Sequence, residues 1–291
     1  MLIQKNGQII DSSRAHVSVM DPAFLYGESL VTTVGVSNGH PEFLDRHIAR
    51  ILGMAKSLEW SFIPSRESIL LGVSLMLKRL DPAPRLLRIT ITPGALREVS
   101  MIEKPSVCGD WFIFPVFRSD SPGSDLERGV DVALAHSPLL LPGDPRGRLK
   151  TGNLLLSVYL ARKKPKGVSE WILKGKTGRL LEGSVSNVFF FRDDGSVLTA
   201  PERWGVLPGV IRSVVLEELK KEGRTVRWSA PKPSDLDQVR GIVLTNSYLK
   251  VMPVGRILDE KGEILWEMSP DCLEKEILPL RKKVEIRSSF E

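Results

Sequence analysis

The 291-residue chain carries 41 Lys and Arg against 35 Asp and Glu, a net charge of +6, with 42% hydrophobic and 26% charged residues. These proportions exclude a disordered or fibrous chain and leave enough apolar residues for two domains. No apolar run reaches the roughly 18 residues of a membrane helix, and the basic residues are interleaved with acids, so neither a membrane nor nucleic acid is an expected partner.

The start of the chain lacks the apolar middle of a signal peptide. Cys108 and Cys272 stand far apart without a partner motif, which points to a reduced, cytoplasmic protein with neither a disulfide framework nor a zinc site. The excess of positive charge suits a small anionic substrate as well as it suits a solvated surface.

Leu2 to Ile10 alternates around Asn6-Gly7, and the β-branched run Leu30 to Val36 leads into Asn38-Gly39; each dipeptide predicts a β-hairpin. Leu44, Ile48, Ile51, Ala55 and Leu58 recur at helical spacing, with Arg50 off that stripe, and Ser65 to Leu80 predicts a second helix. Leu86 to Thr92 and Trp111 to Phe117 read as strands. A small α+β domain over 1–118 follows, with a linker at 119–125 and a larger, strand-rich domain over 126–291.

In that larger domain Val130 to Ala135 predicts a strand, and a Pro/Gly-rich approach to Lys150 precedes a helix over Thr151 to Lys163. Strands are expected at Glu170 to Leu173, Arg179 to Glu182, Asn187 to Phe191, Val197 to Thr199, Thr225 to Trp228, Gly241 to Thr245 and Val251 to Val254. Helices are expected at Gly209 to Glu222 and Pro270 to Lys283, and Lys283 to Glu291 reads as a frayed end.

The sequence has no Walker loop, no H-E-x-x-H helix and no C-x-x-C pair, and His16, His40, His47 and His136 are too scattered for a metal cluster. What it offers is a set of phosphate-friendly features. Gly209 opens a helix whose backbone N–H groups attract an anion. Thr245-Asn246-Ser247 ends a strand on three polar side chains, and Arg50 is a helix arginine outside the apolar face. Residue chemistry alone does not single out Lys150 from the other lysines.

Six segments together are more specific. Asp21 to Glu28, His47-Ile48-Ala49-Arg50-Ile51, Leu149-Lys150-Thr151-Gly152-Asn153, Leu181 to Phe189, Leu207-Pro208-Gly209-Val210-Ile211-Arg212 and Thr245-Asn246-Ser247 with Pro253-Val254 resemble the successive signatures of class IV aminotransferases. The resemblance implies a two-domain fold-type IV, D-amino-acid aminotransferase-like architecture, mixed α/β, with a barrel-like larger domain. It implies pyridoxal 5′-phosphate (PLP) as cofactor and a homodimer as the assembly. By the same resemblance Lys150 is the lysine that carries PLP and moves the substrate proton. Glu182 is the carboxylate facing the pyridine nitrogen. Arg50, the backbone of Val210 and Ile211, and Ser247 hold the phosphate. Val210-Ile211 stands where many relatives have Ile-Thr, which removes one side-chain hydroxyl and leaves the backbone donors.

The reaction depends on fewer positions. Paired Thr32-Thr33, Thr245-Asn246-Ser247 and the spacing from Lys150 to Asn153 resemble aminodeoxychorismate lyases, which release pyruvate from 4-amino-4-deoxychorismate to give 4-aminobenzoate, a folate precursor. In that reading Thr33 joins Lys150 as catalytic, while Thr32, Asn246, Arg88 and Arg97 meet the substrate. Arg88 also sits where branched-chain transaminases carry a strand arginine, so a class IV transaminase acting on branched-chain or D-amino acids with 2-oxoglutarate is the alternative. A non-catalytic PLP-binding protein is a remoter one.

Overall fold

The structure is a computed structural model that describes residues 1–291 except 106, 119–125, 137–148 and 260. The expected linker therefore lies outside the described residues, as does most of the Pro/Gly-rich approach to Lys150. The chain forms two units. One comprises Met1–Asp120, Leu149–Leu154 and Ser289–Glu291, the other Ser121–Arg148 and Leu155–Ser288.

In the first unit, β1 (Leu2–Lys5), β2 (Gln8–Asp11), β3 (Leu30–Ser37), β4 (His40–Pro41), β5 (Leu86–Ile91) and β6 (Trp111–Val116) form an antiparallel sheet in the order β2-β1-β6-β5-β3-β4. Asn6 (φ 49°), Gly7 (φ 89°), Asn38 (φ 50°) and Gly39 (φ 77°) adopt the positive angles that such two-residue hairpins need. A short helix, α1 (Pro22–Leu25), takes Asp21 as its cap, and α2 (Leu44–Ser57) and α3 (Arg66–Arg79) follow the predicted spans closely. Leu44, Ile48, Ile51 and Ala55 of α2 join Ile69, Val73 and Met76 of α3 and Leu30, Val34, Leu87, Ile89, Ile91 and Ile113 of the sheet in one core. Those strand residues alternate, so Val31, Thr33, Arg88, Thr90, Phe112 and Phe114 line the opposite face of the sheet.

The strip around Lys150 departs from the expected helix. Val31 N–H donates to Lys150 O (2.8 Å), Gly152 N–H donates to Ser29 O (2.7 Å), and Thr151 bridges Leu30 in antiparallel fashion. Gly152 disfavours a helix start, and the edge of β3 supplies the partners that a first helical turn would lack. The helix α4 begins only at Leu155 and runs to Lys163.

The second unit is built on β7 (Val130–His136), β8 (Glu170–Lys174), β9 (Leu180–Gly183), β10 (Asn187–Arg192), β11 (Val197–Thr199), β12 (Val226–Trp228), β13 (Val239–Asn246), β14 (Lys250–Leu258) and β15 (Ile264–Glu267). Six of them, in the order β10-β13-β14-β7-β8-β9, close on themselves because β9 pairs back to β10. The closing register is one pair, Asn187 opposite Glu182. β7 runs parallel to β8 and β14; the other barrel neighbours are antiparallel. Phe189, Phe190 and Phe191 are all fully buried, so β10 is covered on both faces. The helix α5 (Val210–Lys221) packs on β13 and on the last helix.

That last helix starts as α6 (Pro270–Cys272), passes through a π turn (Leu273–Ile277) and continues as α7 (Leu278–Ser288). The expected frayed end is thus corrected. Val284 and Ser288 are buried, and Arg287 pairs with Glu217 (2.5 Å) and Glu218 (3.1 Å) of α5. Leu280, Val284 and Ser288, four residues apart, form a buried stripe that continues beyond Lys283.

Candidate active site

In the first unit Arg50, Thr32, Thr33 and Arg88 sit on a helix and two strands, Lys150 on a strip beside β3 and Arg97 on a loop. Lys150 is half-buried on its extended strip, and its N–H points to the Met54 sulfur of α2 (3.2 Å). A Cβ on Gly152 would fall on Ser29 Oγ, so any other residue there would have to turn the Ser29 side chain aside. Arg50 leaves the polar side of α2, and its Nη2 donates to Thr32 Oγ1 (2.9 Å). Burial lowers the Arg50 pKa to about 10, which leaves it cationic at neutral pH and stabilised by any anion that reaches it.

Thr32 and Thr33 do not act as a pair. Successive strand residues face opposite ways, and Thr32, with no exposed surface, lies under α2 between Arg50 and His47. Thr32, expected beside Thr33 at the substrate, is thus buried on the opposite face of the sheet. Thr33 is on the other face, in register with Arg88, whose Nε reaches Thr90 Oγ1 at 3.5 Å. Burial also lowers the Arg88 pKa. Arg97 stands exposed on the loop after β5.

In the second unit the corresponding groups sit where strands and a helix meet turns. Glu182 ends β9, and its Oε2 accepts from Leu207 N–H (3.1 Å) and Asn187 Nδ2 (3.3 Å), which orients the carboxylate. Asn187 Nδ2 also donates to Leu207 O (2.8 Å). Two residues on, Gly209 caps α5 without a side-chain bond, and a Cβ there would collide with Asn187 Oδ1. The helix start, with Val210 and Ile211 in its first turn, thus comes close to the Glu182–Asn187 pair. Its N–H groups have no intrahelical acceptor and favour an anion.

Asn246 and Ser247 open the turn between β13 and β14. Asn246 Oδ1 accepts from Tyr248 N–H (2.9 Å) and Leu249 N–H (2.8 Å), which directs the amide nitrogen away from the turn, where it donates to Val185 O (3.5 Å). Lys250, at φ 58°, closes the turn and donates to Ser247 O (2.9 Å).

Two supporting residues escape sequence reasoning. Glu170 is buried at the start of β8, and its Oε1 accepts from Val185 N–H (2.7 Å) and Ser186 Oγ (3.0 Å), holding the turn that joins Glu182 to Asn187. Burial raises its pKa against the opposing pull of those donors. Arg281 of α7 donates through Nη1 to Leu249 O (2.8 Å) and Val251 O (2.7 Å), behind the Asn246 turn. An acid inside the apolar stretch Glu170-Trp171-Ile172-Leu173 was the available signal for the first. Arg281 sits in a basic cluster that gives none.

Comparison with known proteins identifies the family. The model of the family "Amino-transferase class IV" matches residues 29–257. A putative branched-chain-amino-acid aminotransferase of Methanocaldococcus jannaschii is 29% identical, over 91% of this chain and 92% of the relative. The aminodeoxychorismate lyase of Bacillus subtilis is 26% identical, over 88% of this chain and 86% of its own. Among solved structures, a hypothetical aminotransferase from Mycobacterium tuberculosis in its PLP-bound form superposes with a TM-score of 0.81 at 17% identity, over all of both chains, a likeness of fold.

Proposed function

The chain belongs to the class IV aminotransferase family, with its fold-type IV architecture and its PLP dependence, and within that family we propose that it is an aminodeoxychorismate lyase. The residues fit the cofactor. Arg50 is a buried cation, the α5 start is an anion site with no room for a Cβ at Gly209, and Glu182 is a carboxylate oriented by two donors. We assign the PLP-bearing amine to Lys150, the ring nitrogen to Glu182, and the phosphate to Arg50, Ser247 and the N–H groups of Val210 and Ile211. When bound, PLP supplies an electron sink for the bond broken at the amine-bearing carbon.

The chain's own groups do the rest. The Lys150 amine removes the proton from the ring carbon bearing the amino group. The enolpyruvyl C–O bond then breaks, the ring becomes aromatic as 4-aminobenzoate, and the departing enol takes up a proton to become pyruvate. Glu182, held through one oxygen, keeps its charge in place while the proton moves. The substrate has two carboxylates and therefore needs two separated polar anchors. Asn246 offers a fixed amide donor, and Arg88 with Thr33 offers a cation beside a hydroxyl.

The observation that carries this reading is the polarity of the Asn246 turn. A branched aliphatic side chain asks for an apolar wall, whereas the Asn246 side chain at the head of this turn is a polar amide. A transaminase is the second reading, favoured by Arg88 on the open sheet face and by the likeness to the M. jannaschii relative. The enzyme supplied with 4-amino-4-deoxychorismate and no 2-oxo acid should release 4-aminobenzoate and pyruvate in equal amounts. Absence of both, with full conversion of bound PLP to its amine form by a branched-chain or D-amino acid, selects the transaminase. A homodimer in a reduced compartment completes the proposal; the mass of the protein in solution checks the first part.

A further inference from the structure

A single hydroxyl ties β3 to α2 beneath Arg50. Thr32 Oγ1 accepts from Arg50 Nη2 at 2.9 Å and shares a second hydrogen bond of 2.8 Å with His47 Nδ1. His47 and Arg50 lie three residues apart on α2 and so project to the same side of the helix. Thr32 has no exposed surface and His47 almost none, so water does not compete for these bonds. We propose that Thr32, held in turn by His47, is a positioning residue that sets the orientation of Arg50 for the cofactor phosphate.

The proposal rests on the assignment of Arg50 to that phosphate. Its physical basis is the guanidinium's shape. A hydrogen bond that anchors one nitrogen of a planar fork narrows the directions in which the remaining N–H groups can point. Threonine suits the task because its branched side chain has little rotamer freedom on a strand. A lysine in place of Arg50 would keep the charge and lose the plane. The same geometry explains why Thr32 and Thr33, adjacent in sequence, serve different partners: one supports the cofactor's anchor from within the core, the other faces away with Arg88.

The decisive variant is Thr32→Val, nearly isosteric and at home in a strand. Titration of the apoenzyme with PLP, and competition of that titration by inorganic phosphate, should show both affinities reduced about tenfold, while the substrate KM at saturating PLP stays within about twofold. Thr32→Ser should restore both affinities, and His47→Phe, which removes the far partner of the hydroxyl, should weaken PLP by a smaller factor. Unchanged PLP and phosphate affinities in Thr32→Val overturn the proposal, and a raised substrate KM alongside them returns Thr32 to the substrate. Arg50→Lys separates the two levels of the argument. If it leaves PLP affinity intact, the assignment of Arg50 falls; if it weakens PLP while Thr32→Val does not, only the role of Thr32 falls. Should Thr32→Val not fold, unchanged affinity in His47→Phe serves as the overturning result.

Discussion

The two units support their chemistry by opposite means. In the first, Lys150 and Arg50 are held by a strand edge and a helix, elements whose own backbone bonds fix the side chain's origin. In the second, Glu182, the α5 start and Asn246 stand where strands or a helix meet turns, and each junction has a buried group behind or beside it: Glu170, Asn187 and Arg281 respectively. A helix or strand brings its rigidity with it. A turn borrows it, usually from a side chain distant in sequence.

Three substitutions probe that contrast. The largest effect belongs to the first unit. Lys150→Ala should remove the absorbance band of lysine-bound PLP and lower kcat by about a thousandfold or more while the strip keeps its place on β3, so the melting temperature should barely move. A large fall in that temperature would mean that the side chain, and not the backbone pairing, holds the strip.

Gly209→Ala is the corresponding stroke at the second unit. The new Cβ meets Asn187 Oδ1, so the α5 start must shift away from the Glu182–Asn187 pair. We expect a loss of about 1–3 kcal/mol in thermal or denaturant unfolding, the ordinary cost of an overpacked contact, together with PLP affinity weakened about tenfold. Here stability and affinity should fall together, in contrast to Lys150→Ala. A stable variant with full PLP affinity would show that this turn has slack.

The smallest effect is a pH dependence at Glu170. Its folded pKa is raised by burial, so the stability it contributes is fully present below the unfolded value of about 4.5 and is lost as pH rises through the folded value. Glu170→Gln removes that titration. The melting temperature of the parent relative to the variant should therefore decline as pH climbs out of the ordinary carboxylate range; a difference that stays flat or grows would reverse the sign assigned to burial.

The hairpins at Asn6-Gly7 and Asn38-Gly39 and the helices α2 and α3 were legible because their signals are local: a turn dipeptide with positive φ, or an apolar period of 3.6. The family resemblance rests on short motifs and made Lys150, Glu182 and Arg50 legible as a set. Three things escaped local reading. The strip at Lys150 pairs with residues about 120 positions earlier, so nothing beside it in sequence announces an extended conformation. Thr32 and Thr33 read as a unit until strand alternation assigns them to opposite faces. The terminal helix runs to Ser288 because α5 lends it two acids for Arg287, a partnership across 70 residues.

The barrel closes through one register, Glu182 opposite Asn187, and those two residues are also the ones whose side chains meet at Leu207. The acid assigned to the cofactor ring is therefore also the clasp of the hoop. Its carboxylate also ties that seam to Leu207 through Asn187 Nδ2 and the Leu207 N–H. The proposed role of Glu182 at the cofactor ring and its hold on Asn187 and Leu207 thus fall on one carboxylate, which narrows what can stand in its place.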